Sequence, residues 1–220
     1  MSRGQPYRTR SDRIGHVRSC PLGWSGSRDA SAASLVPFVE AHRERLACDA
    51  VVISDSSMFA PGLPSLLFSL RGLAYLELRV RAARSDLHSG AYGGAVPNPA
   101  AVLARILATL HDGEGRVALP GFYDDVVEWD EDTRSAIRGL PFDEEEFRAG
   151  VGAPALAGEA GYSTLERLWI RPTCEVNGLL SGYTGEGAKT VLPARSRAKV
   201  SFRLVPDEVP CRVADQFRKH

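Results

Sequence analysis

Cysteine is scarce in this 220-residue sequence, and neither charge sign is in excess. The four cysteines (Cys20, Cys48, Cys174 and Cys211) lie far apart and form no Cys-x-x-Cys pair, which argues against a cysteine zinc site and a disulfide framework and favours a reducing compartment. Basic and acidic residues number 27 each, so the basic excess that marks a nucleic-acid protein is missing. No apolar run approaches the ~20 residues that a membrane span requires. What is present is 44% hydrophobic residues, enough to bury a core. The expectation is a soluble, cytoplasmic protein with no nucleic-acid or membrane partner.

Residues 1–33 are rich in Arg, Ser and Gly, contain no lysine and show no helical or strand period, as in a disordered head. From Ser34 the pattern changes. Leu35, Phe38, Val39, His42 and Leu46 follow the rhythm of a one-sided helix, with Ser34 as its cap and Pro37 in its first turn. Ala50-Val51-Val52-Ile53 reads as a buried parallel strand, with Ser54-Asp55-Ser56-Ser57 at its carboxyl end, where open α/β sheets place ligands.

Beyond residue 70 a second regime begins. Leu76, Leu78 and Val80 alternate with Glu77, Arg79 and Arg81, predicting a strand with one wet face. A glycine-rich loop follows, and then Asn98-Pro99 opens a helix buried through Leu103, Ile106, Leu107 and Leu110 and ended by Asp112-Gly113. Residues 120–165 predict small helices whose acidic clusters are solvated faces. Ala198, Val200, Phe202 and Leu204 alternate with Lys199, Ser201 and Arg203, giving another one-faced strand. Val213 and Phe217 begin a helical face that the end at His220 leaves barely formed. The chain therefore reads as an α/β piece over 34–70, followed over 71–220 by an α+β layer of one-faced strands covered by helices.

Four places carry candidate chemistry. SGYTGEGAKTVLP has two glycines at Walker spacing, but Ala188 separates Gly187 from Lys189 and Thr190, and the segment leads to a strand rather than a helix, which excludes a phosphate loop. Asp55 at a strand end suits a metal or substrate ligand, and equally a turn former. His88 lies in a loop whose glycines permit close backbone approach, although a lone loop histidine is commonly idle. Arg203 on a wet face is either a surface charge or a guanidinium fork for a carboxylate.

The segments RGLAYLELRVRAARSDLHSGAYGGAVPNPA, LPGFYDDV and RPTCEVNGLLSGYTGEGAKTVLPARSRAKVSFRLVPD together resemble the zinc dipeptidases of the carnosinase type and their relatives among the deacetylases and desuccinylases. The resemblance runs from about Ser34 to His220. It implies an α/β catalytic-domain fragment (34–70) and an α+β, ferredoxin-like lid or dimerisation domain (71–220). The activity it implies is metal-dependent hydrolysis of a dipeptide or N-acyl amino acid at a two-zinc centre, in a homodimer formed through the lid. By motif, Asp55 resembles a terminal zinc ligand. His88 resembles a lid histidine that enters the partner's active site to polarise the scissile carbonyl. Thr190 and Arg203 resemble residues that hold the substrate's carboxyl end.

The departures set a second expectation. The family's first ligands have no counterpart upstream, the stretch SGSRDAS stands where adjacent glutamates belong, and the last ligand would lie past His220. The chain is thus expected to be a truncated or frame-disturbed piece, inactive alone and unable to hold the two zincs. The alternative is a non-catalytic dimerisation or binding module descended from such a peptidase.

Overall fold

The computed structural model describes residues 32–49, 58–67 and 69–220. The head, the run Ala50–Ile53 and Asp55 lie outside the described residues. The chain divides into two units, one ending at Ser65 and the other running from Leu66 to His220.

In the first unit, helix α1 spans Ala32–Ala41 and a single turn, α2, spans Arg43–Leu46. This corrects the expected start at Ser34: the helix begins earlier and holds Pro37 in its interior, where the ring removes one backbone donor. His42 lies between the two helices rather than within one. Its imidazole stacks on Phe38 with ring centroids 4.3 Å apart, and its Nδ1 lies 2.9 Å from the Phe38 carbonyl oxygen.

The second unit is built on a three-stranded antiparallel sheet. Strand β1 spans Gly72–Arg81; a short β2 (Leu87–His88) leads into the one-turn α3 (Ser89–Tyr92). Helix α4 covers Pro99–Ala108; α5 (Glu131–Arg138), α6 (Glu144–Gly150) and α7 (Thr164–Trp169) follow. Strands β3 (Thr173–Ser181), β4 (Val191–Leu192) and β5 (Arg195–Leu204) precede α8 (Pro210–Lys219). The sheet order is β1-β5-β3, so β1 and β3 run parallel with β5 inserted antiparallel between them. This is the split β-α-β arrangement of ferredoxin-like layers.

The strand alternation holds. Ala74, Ala198, Val200, Phe202 and Leu204 are buried beneath α4 and α8 together with Leu103, Leu110, Phe122 and Val213. Phe202 sits at the centre, 5.8 Å from the Phe122 ring and 5.7 Å from Phe217. Asn98 caps α4 by accepting from the Ala100 N–H, and Pro99 takes the first turn as expected. The helix ends at Ala108, short of Asp112-Gly113, and Asp112 instead accepts backbone N–H bonds from Glu114 and Arg116 in the following turn. Accordingly, His111 belongs to an isolated bridge with Val117 and not to a helix. α8 covers ten residues, with Val213 buried.

The acidic clusters act locally. Asp130 and Asp143 cap α5 and α6, and Asp124 and Asp125 pair with Arg212 on α8. Between α7 and β3, Arg171 is 1% exposed and forms a two-pronged pair with buried Glu159 at 2.8 and 2.7 Å, flanked by the rings of Tyr123 and Tyr162. Burial works against the guanidinium's charge, but hydrogen bonding to Glu159 more than offsets it and raises the pKa. Burial likewise pushes the Tyr123 hydroxyl up to about 12.

The turn from β5 to α8 holds a half-buried acid. Oε2 of Glu208 accepts from the Val205 N–H at 2.7 Å, while its Oε1 has no hydrogen-bond partner among the described residues. Burial pushes its pKa up from 4.5 to about 7. The folded chain therefore binds the proton more tightly than the unfolded chain, so this group's stabilisation is full below about pH 4.5 and lost as pH rises through 7. Between pH 5 and pH 8 the unsubstituted chain is expected to lose melting temperature relative to Glu208→Gln by a few degrees. Parallel melting curves for the two proteins across that range would contradict this assignment.

Candidate functional site

His88 ends β2 and caps α3, and its ring is oriented from both sides. Nδ1 accepts the Gly90 N–H at 3.0 Å, which leaves the neutral imidazole's proton on Nε2. Nε2 lies 3.1 Å from Oγ1 of Thr190. The backbone adds a third tie, Ser89 N–H to the Thr190 carbonyl at 3.1 Å. Gly90 is required by close approach: a Cβ there would meet Cε1 of His88 at 2.8 Å.

Two short strands hold this pair. Leu87 and His88 pair antiparallel with Leu192 and Val191, and Asp86 accepts the Ala194 N–H at 2.8 Å just behind them. β4 follows the SGYTGEGAKT turn, in which Gly182 and Gly187 take φ of 70° and 79° and Lys189 lies over the Tyr183 ring. Lys189-Thr190 therefore leads into a strand, with the Thr190 carbonyl accepting the Ser89 N–H, as expected for something other than a phosphate loop.

Arg203 is elsewhere. It is exposed near the end of β5, between Leu73 of β1 and Thr173 of β3, and has no ion-pair partner among the described residues. Arg71 lies close by; its guanidinium donates to the Arg167 and Arg171 carbonyls at 3.5 and 3.3 Å. Burial, and secondarily the charge of Arg203, lowers the Arg71 pKa. Two cations without a carboxylate between them form an anion-seeking pair.

The separation along β5 is decisive. Eight residues divide Arg195 from Arg203, about 26 Å at ~3.3 Å per residue. The β2–β4 pair is carried on the Arg81/Arg195 end, continued by the Ala82 and Ala83 N–H groups bonding to the Ala194 carbonyl. A dipeptide spans at most ~7 Å. One chain thus brings His88 and Thr190 together but does not bring Arg203 to them. Thr190 groups with His88, where the sequence motif had grouped it with Arg203.

Asp55 lies outside the described residues, and among those described no group of three His, Cys, Asp or Glu side chains could hold a metal ion. The described residues therefore do not fit a two-zinc centre by themselves. Sequence reasoning missed Arg71, Asp86 and Gly90 as positioning groups; the only signal was the glycine-rich context of His88. No helix among the described residues is long and apolar enough to cross a membrane.

Residues 68–220 match the family model of the M20 peptidase dimerisation domain. The Beta-Ala-His dipeptidase of Homo sapiens is 30% identical over 197 residues, covering 89% of this chain and 39% of the relative. A Cys-Gly metallodipeptidase of Schizosaccharomyces pombe is 32% identical over 186 residues, covering 84% of this chain and 39% of the relative. Among solved structures, a metallo-carboxypeptidase from Sulfolobus solfataricus superposes with a TM-score of 0.74 at 37% identity, over 86% of this chain and 49% of that one. A di-peptidase from Saccharomyces cerevisiae gives a TM-score of 0.78 at 28% identity, over 89% of this chain and 41% of that one. The chain thus spans about two fifths of the length of these curated relatives.

The Gly90 contact makes a prediction. Gly90→Ala displaces the imidazole and breaks the Nδ1 bond, so the ¹⁵N shifts of His88 move from one clear Nε2–H tautomer toward a mixture. Unchanged shifts would mean that the Gly90 N–H does not set the tautomer.

Proposed function

The chain belongs to the M20 peptidase dimerisation family, and on that premise we propose that it is the lid of a metal-dependent dipeptidase or amidohydrolase that works as a homodimer. Its substrate is a dipeptide or an N-acyl amino acid, its compartment the cytoplasm, and its metal zinc. Residues 71–220 form the lid, residues 34–70 belong to the catalytic domain, which contributes Asp55 as a ligand, and residues 1–33 are an atypical head. The other ligands come from segments beyond this chain, which is inactive alone.

The observation that carries this reading is the separation, along the length of β5, between Arg203 and the His88–Thr190 pair. Arg203 grips the substrate carboxylate of one site through its planar fork. His88 and Thr190 reach the partner's site, where the Nε2–H of His88 exchanges Thr190 Oγ1 for the scissile carbonyl as that oxygen gains charge. Losing one such donor costs about 3 kcal/mol of transition-state stabilisation. Thr190 fixes the imidazole and presents its hydroxyl beside it.

Mixed dimers test the reading. In the enzyme carrying this lid, His88→Ala chains and Asp55→Ala chains are each inactive. Combining them restores up to roughly a quarter of the unsubstituted activity, because half the statistical pairs of a two-fold dimer hold one complete site. A mixture that forms dimers yet stays inactive would remove His88 from the partner's chemistry and leave a dimerisation or binding module.

A further inference from the structure

At the end of β5 remote from Arg203, the sheet face turned away from the helices carries an unusual concentration of arginine. Register places Arg79 directly opposite Arg197 and Arg81 directly opposite Arg195, with Arg84 just beyond. Residues facing each other across an antiparallel pair have Cβ atoms about 5 Å apart, and like charges there destabilise the sheet. The chain has zero formal net charge, so this is segregation and not a general basic excess.

Counter-ions are few. Glu77 engages Arg79, which holds the Glu77 carboxyl below its ordinary range, with Arg197 and Lys199 adding to the effect. Asp86 is engaged by the Ala194 N–H. Arg81, Arg84, Arg195 and Arg197 form no ion pair among the described residues, and all four are exposed. Together with Leu180 they line an open groove of about 830 Å³.

Spacing selects the ligand. The Arg79/Arg197 and Arg81/Arg195 rungs are two residues apart, about 6.6 Å along the strands. An extended peptide with acidic side chains at every second position repeats at the same interval, so successive carboxylates meet successive rungs, each within reach of a two-pronged guanidinium contact. A compact anion reaches one rung only. We propose that this arginine-laddered end of the sheet docks an extended acidic segment, with Asp or Glu at alternate positions, from a protein partner. The groove is also lined by Asp86, Pro193 and Ala194, which adjoin the strands that carry His88 and Thr190, and docking there does not require hydrolysis.

The test uses the 220-residue chain and three fluorescein-labelled peptides, read by anisotropy: alternating Ser-Glu-Ser-Glu-Ser-Glu, its Gln counterpart, and Ser-Ser-Ser-Glu-Glu-Glu. The alternating acidic peptide is expected to bind most tightly and to weaken as salt rises. The double variant Arg195→Gln/Arg197→Gln is expected to lose about tenfold or more in affinity for it. These side chains are exposed, and removing like-charge pairs leaves the melting temperature equal or higher at low salt, so loss of binding is separable from loss of fold. Equal binding of the two acidic arrangements, affinity unchanged in the double variant, or tighter binding of tripolyphosphate or a single-stranded oligonucleotide than of the alternating peptide would each overturn the proposal.

Discussion

Strand β5 is hydrogen-bonded on both sides, to β1 along ten residue pairs and to β3 along eight, and this central position makes it the ruler of the molecule. Its inward side chains, Ala198, Val200, Phe202 and Leu204, form the middle of the core. A one-residue slip would exchange them with Arg197, Lys199, Ser201 and Arg203, so burial fixes the register. The same register fixes the chemistry: Arg203 stands at one end of the ruler and the His88–Thr190 pair beyond the other. A rigid separation of about 26 Å is incompatible with joint action on one dipeptide within one chain. That incompatibility, more than any single side chain, is the reason to read the fold as half of a composite site.

Charge is distributed with similar economy. Among the described residues, fully buried charge is limited to Arg171 with Glu159 and to Glu166, which pairs with part-exposed Arg134 near α5. Both pairs lie in the helical insertion between α4 and β3. Removing one member of the buried Arg171–Glu159 pair typically costs about 3–5 kcal/mol because the other charge is stranded. On the outer sheet face, exposed arginines stand at opposite ends, Arg203 beside part-buried Arg71 at one and the arginine rungs at the other. Burial first, and then the charge of Arg203, lowers the Arg71 pKa, and the hydrogen bond to Arg79 lowers that of Glu77.

Strands with clean alternation were legible in the sequence. β1 and β5 appear where Leu76-to-Val80 and Ala198-to-Leu204 predicted them, and the Asn98-Pro99 start of α4 follows from its cap chemistry. β3 was not foreseen. A register irregularity between Val176 and Gly178 breaks its alternation and turns Leu179 and Leu180 into exposed residues, so no period of two survives to be read. Pro37 misled through position, since a proline near a helix start is usual and here the helix begins earlier. At the site, His88 and Thr190 were found by resemblance, but their mutual contact is a product of β2–β4 pairing across 102 residues of sequence. Arg71 and Asp86 carried no local signal because their partners are backbone groups, which local sequence does not reveal.

The central claim is that Arg203 of one chain works beside Thr190 of its partner. In a chain with Cys20, Cys48, Cys174 and Cys211 replaced by serine, one population carries Thr190→Cys and another Arg203→Cys, and the mixture is treated with a short bis-maleimide. The account predicts an efficient cross-link between the two populations, and none within a doubly substituted chain held as a monomer by dilution. Cross-linking within the dilute double variant, or none in a mixture shown by sedimentation to be dimeric, would contradict it.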